Sequence, residues 1–209
     1  MEDQPHRHRP WRVVQQTGRM NEHAVAVADA IRFRRTNLRM DRDRAVPTEM
    51  LNTLMSLAVW APNHRLTEPW RFAVFAGAAR QRLGEVTAEF QERSGMSDPT
   101  KLDKTRGKFL RAPVVVLVAS ESDPTASGEM RAEDRDAVAA GVQNMLLGAT
   151  AHRLGSYWSS GAVCQSPEVR SMAGFAEHAT VVAAVYLGWP IGDVPVPNRS
   201  APVVSWVSV

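Results

Sequence analysis

APNHRLTEPWRFAVFAG, residues 61–77, is the stretch on which the fold turns. The segment before it, VPTEMLNTLMSLAVWAP (46–62), opens with Pro and Thr and places Leu51, Leu54, Met55 and Ala58 at helical spacing until Pro62 stops it. RFAVFAG (71–77) then reads as a short buried strand closed by glycine. A helix thus hands over to a strand within about a dozen residues, the length of an ordinary connection with a little to spare. That junction also holds Asn63, His64, Arg65, Trp70 and Arg71. Polar and aromatic groups gathered there point to a surface with a task beyond connection.

Working outward, NEHAVAVADAIRFRRT (21–36) reads as a helix capped by Asn21, whose end delivers Arg34, Arg35 and Thr36 into a loop. APVVVLVAS (112–120) is a second buried strand, separated from the first by two charged helical segments. From Glu133 to Gly155 a long pattern aligns Val138, Val142, Met145, Leu146 and Ala149 on one stripe, which predicts a central core helix. SYWSSGAVCQ follows as a strand-to-loop passage. Ser166, Pro167 and Glu168 start a short helix, and ATVVAAVYLGWP (179–190) is a buried strand ending at Gly188. The tail IGDVPVPNRSAPVVSWVSV is extended and apolar, so it needs a surface to cover. Helices fall between strands without regular βαβ alternation. The expected class is α+β, a sheet flanked by helices.

The 209 residues suit one domain, residues 21–209, preceded by a basic arm at 1–20. The net charge of +3 is modest, but HRHRPWR (6–12) and RFRRTNLRMDRDR (32–44) concentrate cations that attract phosphate. No helix-turn-helix, zinc-finger or RNP pattern accompanies them, so the arm reads as solvated in preference to nucleic-acid binding. Residues 1–20 lack the apolar centre of a signal peptide, no run of about 18 apolar residues occurs, and the single Cys164 permits no internal disulfide. A cytoplasmic protein is the expectation. The six histidines show no metal-ligand spacing outside the arm. Compact signatures of dinucleotide-binding folds, P-loops, zincins and α/β-hydrolases are missing.

Four segments together resemble the nitroreductase family of FMN-dependent oxidoreductases. RFRRTNLRM resembles its Arg-Arg-Ser opening, with Thr36 in the serine place. APNHRLTEPWRF is similar to its Ala-Pro-to-Pro-Trp segment, in the subgroup with Asp or Asn followed by His. GSYWSSGAVCQSPEVRSMAGF matches its turn, loop and short helix, and VVAAVYLGWP its strand ending Leu-Gly-x-Pro. Each motif is weak alone; the order of four, from about Val25 to Arg199, is specific.

The resemblance implies a mixed, mostly antiparallel sheet flanked by helices, and a homodimer with active sites at the interface and C-terminal extensions exchanged between subunits. It implies FMN as cofactor, NAD(P)H as co-substrate, and ping-pong reduction of nitroaromatic, quinone or similar planar acceptors. Arg34, Thr36 and Arg199 are carried over to the phosphate and ribityl end, with Arg35 beside them. Asn63 and His64 go to the flavin edge across the dimer, and Trp158, Ser159, Ser160 and Gly161 to the wall along the isoalloxazine. Guanidinium and hydroxyl groups suit a phosphomonoester. No catalytic side chain is named, because hydride transfer through a flavin needs orientation more than an acid or base.

Glu68 replaces the family's Gln, and the basic residue near flavin N1 and O2 has no clear counterpart: Leu38 and Trp60 occupy candidate places, with Arg39 or Arg153 as substitutes. A flavin carrier or sensor of the same fold, without efficient turnover, is the alternative reading.

Overall fold

The computed structural model describes residues 21–208, so the predicted arm at 1–20 lies outside the described residues. The chain runs α1 (Glu22–Phe33), β1 (Met40–Asp41), α2 (Thr48–Ala58), β2 (Trp70–Ala76), α3 (Ala78–Arg93), α4 (Pro99–Gly107) and β3 (Val114–Ser120). It continues through α5 (Gly128–Ala151), β4 (Gly155–Ser159), α6 (Ala162–Gln165), α7 (Pro167–Met172) and β5 (Thr180–Pro190). No helix among the described residues is long and apolar enough to cross a membrane.

β3 pairs with β2 on one side and β5 on the other, and β5 carries both β4 and β1 along its far edge. Every strand pair is antiparallel. The parallel element is an isolated bridge between Thr36 and Ser156.

Both faces of β3 are covered, which explains why its sequence is apolar without alternation. Val114, Val116 and Val118 pack with Leu54, Val138, Val142 and Met145 from α2 and α5. Val115 and Leu117 face the other way, onto Phe75, Leu83, Phe109, Val163, Val169 and Tyr186. The sheet is therefore the middle layer of three.

The predicted elements appear with shifted ends. α5 begins at Gly128 rather than near Glu133, because Ser127 caps it by accepting from the Met130 N–H at 3.2 Å. β5 continues past Gly188 because Met40 and Asp41 pair with Pro190 and Trp189. A two-residue strand has no readable period, so β1 carried no sequence signal.

Close approach of α3 to the end of α4 depends on Gly84. A Cβ there would lie 2.0 Å from the Arg106 carbonyl oxygen, which is backbone and cannot swing away. Gly84→Ala is expected to destabilise the protein by about 1–3 kcal/mol or more through overpacking, read as a lower midpoint in urea unfolding.

Candidate functional site

α1 ends as Arg34 turns to extended backbone (φ −55°, ψ 126°). The chain then runs along the outer edge of β4, where Thr36 bridges Ser156 and the Asn37 N–H donates to the Ser156 carbonyl at 2.9 Å. Asn37 is buried, its Oδ1 accepting from the Arg39 N–H at 2.7 Å. Its side chain lies against Gly155, where any Cβ would come within 3.2 Å of it. This anchor fixes the position of the three residues before it.

Arg34 is partly buried, and its guanidinium is less basic than usual, first through burial and then through the charges of Arg35 and Arg199. The charge of Arg199, from the tail, is thus felt at Arg34. No ion pair engages any of the three among the described residues. Arg35 Nη1 curls back to donate to the carbonyls of Arg32 and Arg34, so it adds charge more than an open fork. Neighbouring guanidinium groups repel one another, and an anion placed among them relieves that repulsion. A phosphomonoester fits that need.

From Ser156 the same edge of β4 continues unpaired toward Trp158. Since backbone groups of alternate residues point to the same side of a strand, Trp158 presents its N–H and C=O to the open edge that Ser156 uses. The Trp158 ring packs inward on the α2–α5 face. Ser159 is buried and its hydroxyl donates to the Ser160 carbonyl at 3.4 Å, while Ser160 is exposed. Gly161 takes φ +110°, a left-handed conformation open to glycine, and turns the chain into α6. Trp158 and Ser159 thus end the strand whose outer edge Thr36 and Asn37 border, and Ser160 and Gly161 lead from it into α6.

Asn63 and His64 lie elsewhere. They belong to a tight turn, including a 3-10 segment His64–Leu66, that leads into β2. Within the sheet β2 and β4 are separated by three strand spacings, about 14 Å. One chain does not bring these two residues to the Arg34–Thr36 and Trp158–Gly161 groups. The turn is unusual in itself, with Arg65, Leu66 and Glu68 at φ of 60°, 51° and 50°. Left-handed backbone costs a side-chain-bearing residue on the order of 1–2 kcal/mol, so something must hold it.

Part of the hold is internal: Asn63 Oδ1 accepts from the Glu68 N–H at 2.8 Å and its Nδ2 donates to Thr67 Oγ1 at 2.9 Å. The rest comes from α5. His64 Nδ1 is 2.9 Å from Glu133 Oε2, and the Thr67 hydroxyl donates to Asp134 Oδ1. Sequence reading missed both carboxylates, since RAEDRD looks like a solvated charge run. The helical phase held the clue: Asp134 lies four residues before Val138 and eight before Val142, on the buried stripe.

The candidate sites for a cation near the flavin ring remain dispersed. Leu38 and Trp60 are exposed, and Arg39 lies beside Gly192 at the start of the tail.

Comparison with known proteins gives the family. The sequence pattern described as "Nitroreductase family" matches residues 31–189. YfhC of Bacillus subtilis (strain 168), named "Putative NAD(P)H nitroreductase", is 30% identical over 191 residues, covering 90% of this chain and 95% of its own. The similarly named YdjA of Escherichia coli (strain K12) is 32% identical over 142 residues, 68% of this chain and 76% of the relative. A solved structure from Desulfovibrio desulfuricans, a "putative nitroreductase in complex with FMN", matches with a TM-score of 0.62 and 26% identity, covering 83% of this chain and 91% of that one.

One group beside the wall is expected to be inert. The Cys164 N–H donates to the Gly161 carbonyl at 2.8 Å, and burial pushes its thiol up to about 11 despite the opposing pull of Lys108. At pH 8 native Cys164 should react with iodoacetamide about a hundredfold more slowly than in the urea-unfolded chain, as followed by mass spectrometry.

Proposed function

From the premise that the chain belongs to the nitroreductase family, we propose that it is an FMN-dependent oxidoreductase. Bound FMN supplies the reaction with a two-electron carrier that takes hydride from NAD(P)H and passes it, in ping-pong order, to a nitroaromatic, quinone or similar planar acceptor. The observation that carries this reading is the placement of Arg34 and Arg35 directly before Thr36, which bridges Ser156 on the outer edge of β4.

Arg34 and Arg199 hold the phosphate, and the Thr36 hydroxyl adds a hydrogen bond at the ribityl end. The backbone at Trp158, Ser159, Ser160 and Gly161 lines the ring, where fixed N–H donors orient it without charge of their own. Co-substrate and acceptor occupy the same face in turn. The chain's contribution is alignment, which is why no acid–base motif is needed.

A homodimer completes the site. Asn63 and His64 lie in the turn before β2, the strand at the opposite end of the sheet from β4, so they meet the flavin as part of a second copy. The surface favours such a copy: α1 buries none of its residues and exposes Val27, Ile31 and Phe33, while Leu57, Val59, Trp60 and Leu66 are also exposed. The tail is extended, with Val203, Trp206 and Val207 almost fully exposed, and β2 offers an unpaired edge for it in the partner.

The purified protein is expected to be yellow and to release FMN on denaturation. Arg34→Ala should weaken FMN binding about 10- to 100-fold, the worth of a charge-assisted contact of roughly 1.5–3 kcal/mol, measured by flavin fluorescence titration. Parental affinity in that variant would contradict the assignment. Truncation after Ser200 should shift the protein from dimer toward monomer in sedimentation velocity, with loss of turnover in the monomer fraction.

A further inference from the structure

The carboxylate of Asp134 is an anomaly that the flavin site does not absorb. It sits on the buried stripe of α5 at 2% exposure, among apolar neighbours. Oδ1 accepts from the Thr67 hydroxyl, and Oδ2 is buried with no hydrogen-bond partner. A carboxylate in that state lowers stability, since its desolvation is only half repaid. Groups retained at such a cost are usually placed for something other than stability.

What Asp134 touches suggests the task. Its one partner, Thr67, is the hinge of the strained turn, and the hydrogen-bond sequence runs without a gap. Asn63 Nδ2 donates to Thr67 Oγ1, whose proton goes to Asp134 Oδ1, and Asn63 Oδ1 meanwhile receives the Glu68 N–H. Asn63 Nδ2 also donates to the His64 carbonyl at 3.4 Å, and because a carboxylate oxygen only accepts, the Thr67 proton must point to Asp134. The other tie between the turn and α5, His64 to Glu133, joins side chains that are 60% and 41% exposed, and solvent screens it. Asp134 is the tie that water does not reach. Three non-glycine residues in the left-handed region hold only while the surroundings over-determine them.

We propose that Asp134 is a positioning residue: through Thr67 it locks the Asn63–Glu68 turn in the strained form that presents Asn63 and His64 to the flavin of the partner subunit. The inference rests on the FMN-dependent reading and deepens it. Because the carboxylate acts through geometry and not through contact with the flavin, removing it should cost function without costing the fold. An apolar side chain in its place removes the buried oxygen that lacks a partner while freeing the turn.

The test uses the full-length, FMN-loaded protein and the variants Thr67→Val, Asp134→Leu and Asp134→Asn. Three readouts are compared: kcat/KM for NAD(P)H, thermal midpoint, and amide hydrogen exchange over residues 63–68. In Thr67→Val and Asp134→Leu, exchange in the turn and the loss of kcat/KM should each be about tenfold or more, because sub-ångström misplacement is enough to slow transfer. The midpoint in Asp134→Leu should be unchanged or higher. Asp134→Asn, which keeps an acceptor oxygen for Thr67, should remain within about threefold of the parent. Parental kinetics and exchange in both Thr67→Val and Asp134→Leu would overturn the proposal, and so would activity that falls only in step with the thermal midpoint. A parent that binds no flavin would overturn the functional reading instead, and the exchange data alone would then decide whether Asp134 locks the turn.

Discussion

The hydrogen bond from the Asn37 N–H to the Ser156 carbonyl joins the end of the first helix to the outermost strand of the sheet. It is a single backbone bond, supported by the bridge at Thr36 and by the contact of Asn37 with Gly155. Its consequence is that the segment directly after Arg34 and Arg35 runs along the outer edge of β4. Were α1 to leave the sheet elsewhere, the cations would be a solvated basic run and the edge of β4 a bare template for pairing with other chains. On the proposed reading the anchor brings these two features together as parts of one site.

Much of this was readable because the residues concerned obey strong local rules. β3 and β5 announce themselves as unbroken apolar runs, and α5 as a stripe every three or four residues, since burial on two faces or one leaves a periodic record. Arg34, Thr36 and Arg199 were singled out through the family resemblance, and their cofactor roles are part of the proposal. That the charge of Arg199 is felt at Arg34 was not readable, because a proline-rich extended segment has no period from which to compute where it goes. β1 escaped for a related reason: its two residues pair only because Trp189 and Pro190 extend β5 beyond the glycine that seemed to end it. Asp134 escaped because its neighbours in sequence are charged, although its neighbours in the helix are not.

The opening junction shows the same division between local rule and tertiary context. Pro62 and the apolar run from Trp70 dictate that a helix ends and a strand begins. They do not dictate that Arg65, Leu66 and Glu68 adopt positive φ, which none of these residue types favours. The distortion is imposed by side chains from within the turn and from α5. Local preference and native conformation disagree here more than anywhere else in the described chain, and disagreement of that kind tends to gather at functional surfaces.

Why, then, does a chain read as an enzyme carry no compact catalytic motif? Hydride transfer through a bound flavin needs the reacting carbon and the ring held face to face; it does not require a side chain to give or take a proton at that moment. On the proposed reading the residues that serve it act by position: a glycine that turns a strand into a helix, a backbone edge left unpaired, a threonine bonded to a buried carboxylate. Position is spread over the whole fold, so its trace in sequence is an ordered set of weak segments instead of one strong one. The same logic favours assembly in pairs. A site built from backbone edges is shallow, and in the proposed homodimer a second copy would bring the Asn63–His64 turn over it as an enclosing wall.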